Sequence, residues 1–105
     1  MRDFMALYII DDEHRIVKTH DLLEWGRALE SGNRIVAQTD TPNGCVSTVF
    51  LGIDHGILDD GPPILFETMV FGGTHDLWRQ RYATWGEAER GHEVIVKRMQ
   101  MRIAN

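Results

Sequence analysis

Two short apolar runs, Val46–Ile53 and Ile64–Phe71, flank a polar turn rich in glycine and proline, and this stretch constrains the fold more than any other. Each run is rich in Val, Ile, Phe and Thr and is bounded by turn residues, the pattern of a strand pair in the middle of a sheet. Apolar residues occupy both parities of the first run: Val49, Leu51 and Ile53 on one side, Val46, Phe50 and Gly52 on the other. Both faces of the pair are therefore expected to be covered. In the second run Ile64, Phe66 and Val70 share a side, while Leu65, Glu67, Met69 and Phe71 share the opposite one. Glu67 is the exception to the apolar pattern. A carboxylate between Leu65 and Met69 in a covered strand must find a partner, because isolated burial of its charge is costly.

The rest of the chain supplies elements to pack around that pair. Met5–Ile10, the acidic turn Asp11–His14 and Arg15–Lys18 predict two short strands joined by a tight turn. Asp21 followed three residues later by Glu24 has the form of a capping box, so a helix is expected from Leu22, with Leu22, Trp25 and Leu29 as its apolar stripe and Gly32 as its stop. Trp25 is read as a core residue. Arg34–Asp40 alternates as a half-buried strand, and Thr41-Pro42-Asn43-Gly44 is a turn because Pro presets φ and Asn-Gly tolerates positive φ. Leu77–Ala83 predicts a further strand with Arg79 and Arg81 on one side. Thr84 with Glu87 then forms a second capping box, opening a helix whose stripe is Trp85, Ala88, His92, Ile95, Met99 and Ile103, with Val96 beside it. Its early Glu87, Glu89 and Glu93 and late Lys97, Arg98 and Arg102 complement the helix dipole. The expected architecture is α+β: a single domain over residues 1–105, with an antiparallel sheet of about five or six short strands, two helices, and the C-terminal helix packed on the sheet.

Composition excludes some functions. A formal charge of −5 argues against general nucleic-acid binding, which depends on Lys and Arg neutralising phosphates. Cys45 is the single cysteine, so neither an intrachain disulfide nor a thiolate cluster can form, and a cytoplasmic setting is expected. No stretch approaches the roughly 20 apolar residues of a membrane span.

Candidate chemistry is sparse. Asp54 and His55 leave the first central strand where the turn begins, and Glu67 lies in the returning strand, given a fold-back near Asp59-Asp60-Gly61. Two carboxylates and an imidazole suffice for acid/base work or for one metal ion, which gives a small metal-assisted hydrolase as one reading. No catalytic motif supports it, since GxSxG, HExxH, P-loop and GxGxxG spacings are all absent. The simpler expectation is that Asp54 and His55 orient the turn while Glu67 pairs with Arg79 or Arg81 across the sheet. His92 is expected to be a partly buried histidine with its polar atoms satisfied, and His75 and Asp76 to belong to a turn. A bound cofactor or metal is not expected.

The segments VSTVFLGIDH, GPPILFETMVFGG and RYATWGEAERGH, in that order, resemble a group of small proteins carried by bacteriophages and prophages, over roughly residues 46–96. That resemblance implies a phage setting and no established activity, so it carries no catalytic residues over. The leading expectation is a non-catalytic accessory protein that binds another protein, with Trp78, Arg79 and Arg81 as binding residues. A homodimer is expected from exposed sheet edges. A further reading is a small-molecule-binding oligomer with a pocket of aromatics and Arg79 or Arg81.

Overall fold

The computed structural model describes residues 3, 5–31, 33–56 and 61–101. It contains six antiparallel strands in two sheets and two helices, an α+β architecture. Gly32, Asp59, Asp60, Arg102 and Ile103, to which the sequence assigns a helix stop, a turn and the end of a stripe, lie outside the described residues.

Strands β1 (Leu7–Ile10) and β2 (Ile16–Thr19) form a separate two-stranded hairpin. Its acidic turn is organised by Asp11, whose Oδ1 accepts from the Glu13 and Arg15 amides at 2.8 Å each. Asp11 is held below the usual carboxylate range chiefly by the backbone amide of Arg15. The turn is thus a solvated structure with its own hydrogen bonds.

Helix α1 (Leu22–Glu30) is capped as its sequence predicts, with the Asp21 side chain accepting from the Leu23 and Glu24 amides. Only part of its stripe is used. Trp25 is half-buried and donates Nε1 to the Gly52 carbonyl at 3.2 Å, whereas Leu22 is exposed. Gly52 has φ +76, and a Cβ there would crowd the Trp25 indole, so glycine at this position both ends the central strand and lets the helix approach.

The four-stranded sheet has the order β3-β4-β5-β6, with β3 (Ile35–Thr41), β4 (Gly44–Phe50), β5 (Phe66–Phe71) and β6 (Arg79–Tyr82). Pro42 and Asn43 turn the β3–β4 hairpin, with Thr41 Oγ1 accepting from the Asn43 amide and donating to the Gly44 carbonyl. Strand β6 starts at Arg79 rather than Leu77, because Leu77 sits in the left-handed region at φ 69 and belongs to the preceding turn.

Helix α2 (Trp85–Gln100) begins at its capping box, with Thr84 Oγ1 accepting from the Glu87 amide and donating to the Glu87 carboxylate. It packs on one face of the sheet through Ala88, His92, Ile95 and Met99, four members of the predicted stripe. The core is continuous with that contact. One cluster joins Ile10, Phe50, Leu65, Phe66, Tyr82 and Ala88, and a second joins Val46, Val70, Ile95 and Met99. Phe66 sits between Phe50 and Trp85, with centroids at 5.4 and 6.0 Å and tilted or edge-on rings, the arrangements aromatic quadrupoles favour. No helix among the described residues is long and apolar enough to cross a membrane.

The expectation that both faces of the central pair are covered is corrected by this arrangement. Residues facing each other across antiparallel strands share a side, so the register places Val46, Thr48 and Phe50 with Phe66, Thr68 and Val70 under α2. All six are buried. On the opposite side Ser47 is buried, but Val49, Glu67 and Met69 are only half-buried and Phe71 and Ile35 are exposed.

Candidate functional site

Under α2 the sheet presents hydroxyls rather than hydrocarbon at its centre. His92, with 5% of its surface accessible, bridges from the helix to Thr39 Oγ1 on β3 through Nε2 at 2.9 Å and to Thr48 Oγ1 on β4 through Nδ1 at 2.7 Å. Thr48 in turn meets Thr68 Oγ1 on β5 at 2.6 Å. A neutral imidazole offers one donor and one acceptor, and hydroxyls can rotate to complement either tautomer. Burial lowers the proton affinity of His92, with the Glu93 charge acting weakly in the opposite direction. The network ties three strands to the helix, and its near-complete burial leaves the imidazole out of reach of a substrate. His92 is the satisfied buried histidine expected from its place on the stripe.

The residues proposed for a metal-assisted reaction have other employment. Asp54 Oδ1 accepts from the Gly56 and Ile64 amides at 2.8 Å each, closing the segment that links β4 to β5. The His55 amide donates to the Ile64 carbonyl while its ring is on the exposed side of that segment. Glu67 lies one strand into the sheet, opposite Arg81, and accepts from Arg81 Nε at 2.9 Å. Among the described residues no three His, Cys, Asp or Glu side chains are grouped so that they could hold a metal ion, and Asp54, His55 and Glu67 are therefore not such a set. The turn-orienting role for Asp54 and the cross-strand pair for Glu67 are what the geometry contains.

The Glu67–Arg81 pair is asymmetric, with side-chain exposures of 12% and 35%. Losing the arginine strands a mostly covered carboxylate, whereas Arg79 has no ion pair among the described residues and faces solvent. Arg81→Ala is expected to destabilise the fold by about 1–3 kcal/mol, the cost of an unpaired charged acceptor, and Arg79→Ala to stay within about 0.5 kcal/mol. Urea unfolding of the two variants checks the contrast, and equal effects would mean the pair contributes nothing.

The remaining predicted binding residues separate onto two sides of the sheet. Arg79 and Arg81 belong to the open face, which also carries Ile35, Gln38, Asp40, Cys45, Val49, Met69 and Phe71 by the strand register. Trp78 lies on the α2 side, where its indole borders a cleft formed with Val70, Ile95 and Met99. Arg98, which sequence reasoning placed only as a dipole-complementing charge, lines that cleft. Cys45 has its thiol raised by burial and by the neighbouring Asp40 carboxylate, so it is protonated at neutral pH.

A second, more polar cleft of about 420 Å³ lies where the β1–β2 turn meets the start of α2, bordered by Asp12, His14, Trp85 and Glu89. His14 stacks on Trp85 with centroids 3.7 Å apart and rings inclined by 10°, held there in the left-handed backbone region at φ 63. Nothing local in the sequence signals that contact, which joins residues from opposite ends of the chain.

No protein-family model, curated protein or solved structure matches this chain.

Proposed function

We propose that this chain is a non-catalytic binding protein that engages a protein partner through the open face of its four-stranded sheet, in the cytoplasmic, phage-type setting its sequence resemblance implies. The observation that carries the reading is the face itself. Ile35 and Phe71 are 48% and 47% exposed there, the half-buried Val49 and Met69 lie between them, and the Glu67–Arg81 pair, Arg79 and Asp40 supply charge around them. Apolar side chains interspersed with charged and polar ones, rather than a uniformly apolar patch, are what a non-obligate protein interface presents. On the buried side, by contrast, the hydroxyls of Thr39 and Thr48 are occupied by His92 of α2.

Size refines the proposal. Four strands at about 4.8 Å spacing and about six residues at 3.4 Å give a footprint near 400 Å², about half of what one side of a stable interface covers. A tight partner must therefore extend beyond the sheet, over the adjoining turn where Leu77 is exposed. A partner confined to the sheet would bind transiently.

The test is affinity capture from bacterial lysate with the tagged chain and two variants. Phe71→Arg on the open face is expected to lose the captured protein, and Lys97→Glu, an exposed position on α2, to retain it. Capture that is indifferent to Phe71→Arg, or that is lost equally in both variants, would show that the sheet face is not the interface. Sedimentation of the purified chain separates self-association from binding of a foreign partner.

A further inference from the structure

The cleft beside Trp78 combines an apolar floor, an indole wall and an arginine at its rim. It encloses about 170 Å³ between α2 and the β5–β6 turn, lined by Val70, His75, Trp78, Ile95, Arg98 and Met99. An apolar cavity of about 150 Å³ holds one benzene, so the cleft has room for one six-membered ring with a short substituent. Its floor is hydrocarbon, since Val70, Ile95 and Met99 are buried core residues. One wall is a partly exposed indole, and the rim carries Arg98, whose guanidinium makes no ion pair among the described residues.

The wall is also built at a cost in backbone energy. Leu77, a branched residue at φ 69, is in a conformation that costs about 1–2 kcal/mol without glycine. Gly73 at φ +73 packs so closely on the Asn43 backbone that a Cβ would overlap it. Hydrogen bonds hold the turn in this shape: the Gly72 amide donates to Asp76 Oδ1 at 2.7 Å, the Leu77 amide to the Val70 carbonyl at 2.7 Å, and the Val70 amide to the Trp78 carbonyl at 2.9 Å. The turn is pre-formed, with Trp78 set over the cleft rather than free to collapse into it.

We propose that this cleft binds a small carboxylate bearing an aromatic ring, with the ring between Trp78 and the Val70, Ile95 and Met99 floor and the carboxylate on Arg98. Arginine presents a planar fork matched to a carboxylate, and the apolar floor rejects a ligand that lacks a hydrophobic body. An organic cation is excluded by the same guanidinium. The site differs from the pocket with Arg79 or Arg81 expected from the sequence, because it uses Arg98 on the other side of the sheet. Because the two faces are distinct, failure of this site leaves the protein-binding face untouched, and the reverse holds as well.

Phenylacetate is a suitable probe, titrated into the full-length ¹⁵N-labelled chain and followed by amide chemical shifts. Saturable shifts are expected at residues 70, 75–78 and 95–99, with a dissociation constant of about a millimolar, which is what a ligand of about ten non-hydrogen atoms gives. Benzylamine, of the same shape and opposite charge, is expected to give no saturable shift. Arg98→Gln, at an exposed position where folding is verified from the same spectra, should weaken phenylacetate at least about tenfold, while Arg79→Gln leaves it unchanged. Non-saturating or scattered shifts, equal binding of benzylamine, or indifference to Arg98→Gln would each overturn the assignment.

Discussion

His92→Ala is expected to destabilise the protein by about 3–5 kcal/mol, the largest effect of any single polar substitution in the fold. Two losses combine. Removing the imidazole leaves a cavity between α2 and the sheet, and it leaves Thr39 and Thr48 without the ring atoms that satisfy them. Thr68 still has Thr48, so the damage concentrates on β3, β4 and the helix. His92→Leu fills the cavity but still strands the hydroxyls, and is expected to lie between His92→Ala and the wild type. Chemical denaturation of the three proteins at pH 7.5 orders them, and a His92→Leu variant more stable than wild type would show that the hydroxyl network contributes no net stability.

The same residue predicts a pH dependence whose sign follows from its lowered proton affinity. In the unfolded chain the imidazole titrates near its ordinary value of about 6.5, whereas in the fold it takes up a proton only at lower pH. The unfolded state therefore binds more protons in the interval between the two values. Stability from His92 is fully present above about pH 6.5 and is lost as pH falls toward the folded value. Asp3, which pairs with Lys18 and His20 at the end of β2, acts in a lower window. Asp3 is held at about 2 by His20 first and by Lys18, so its contribution is present above its ordinary value of 3.8 and lost as pH falls below that toward 2. Wild type should lose more stability than His92→Leu between pH 7.5 and 5, and parallel curves would refute the assignment.

Gly91→Ala is expected to destabilise by about 2–4 kcal/mol even though alanine is the better helix former by about 1 kcal/mol. A Cβ on Gly91 would fall inside the Tyr82 hydroxyl and ring, and Tyr82 is buried in the core beside Phe66 and Ala88. The ring cannot swing away without opening that cluster. In a Tyr82→Leu background the shorter side chain makes room, so the cost of Gly91→Ala should shrink by more than about 1 kcal/mol, a coupling that a double-mutant cycle reads directly. Additive effects would mean the contact is not the cause. Tyr82→Phe alone points the other way: the buried hydroxyl has no hydrogen-bond partner among the described residues, so its removal should leave stability unchanged or raise it by up to about 1 kcal/mol.

Local physics made much of this fold readable. The two capping boxes at Asp21 and Thr84 place both helix starts, because the signal is an acceptor and a spacing within four residues. The stripe Ala88, His92, Ile95 and Met99 follows from helical period alone, and the parity of Glu67 and Arg81 along their strands anticipates their pairing. Period-2 reasoning failed where apolar residues occupy both parities. It could not say that Thr48 and Thr68 lie beneath the helix while Val49 and Met69 look outward, because what buries those threonines is a histidine far along the chain. Division into two sheets was equally hidden, since strand patterns carry no information on which strands pair, and the Tyr8 amide of β1 meets the Gly52 carbonyl only after β4 has ended. Arg98 escaped notice as a cleft residue because its charge fits the helix dipole equally well, and only the turn containing Leu77 brings Trp78 to the same cleft.

The open sheet face contains a chemical handle for its own test. Cys45, the single cysteine, lies on that face beside Asp40, and its raised thiol can be alkylated at mildly alkaline pH with a photoactivatable iodoacetamide. Illumination in bacterial lysate should cross-link the labelled chain to the same protein that affinity capture retains. A Cys45→Ser, Lys97→Cys variant, which moves the label onto the exposed side of α2, should give no such product. Cross-linking from position 97 but not from Cys45, or equal yields from both, would contradict the assignment of partner binding to the open face of the sheet.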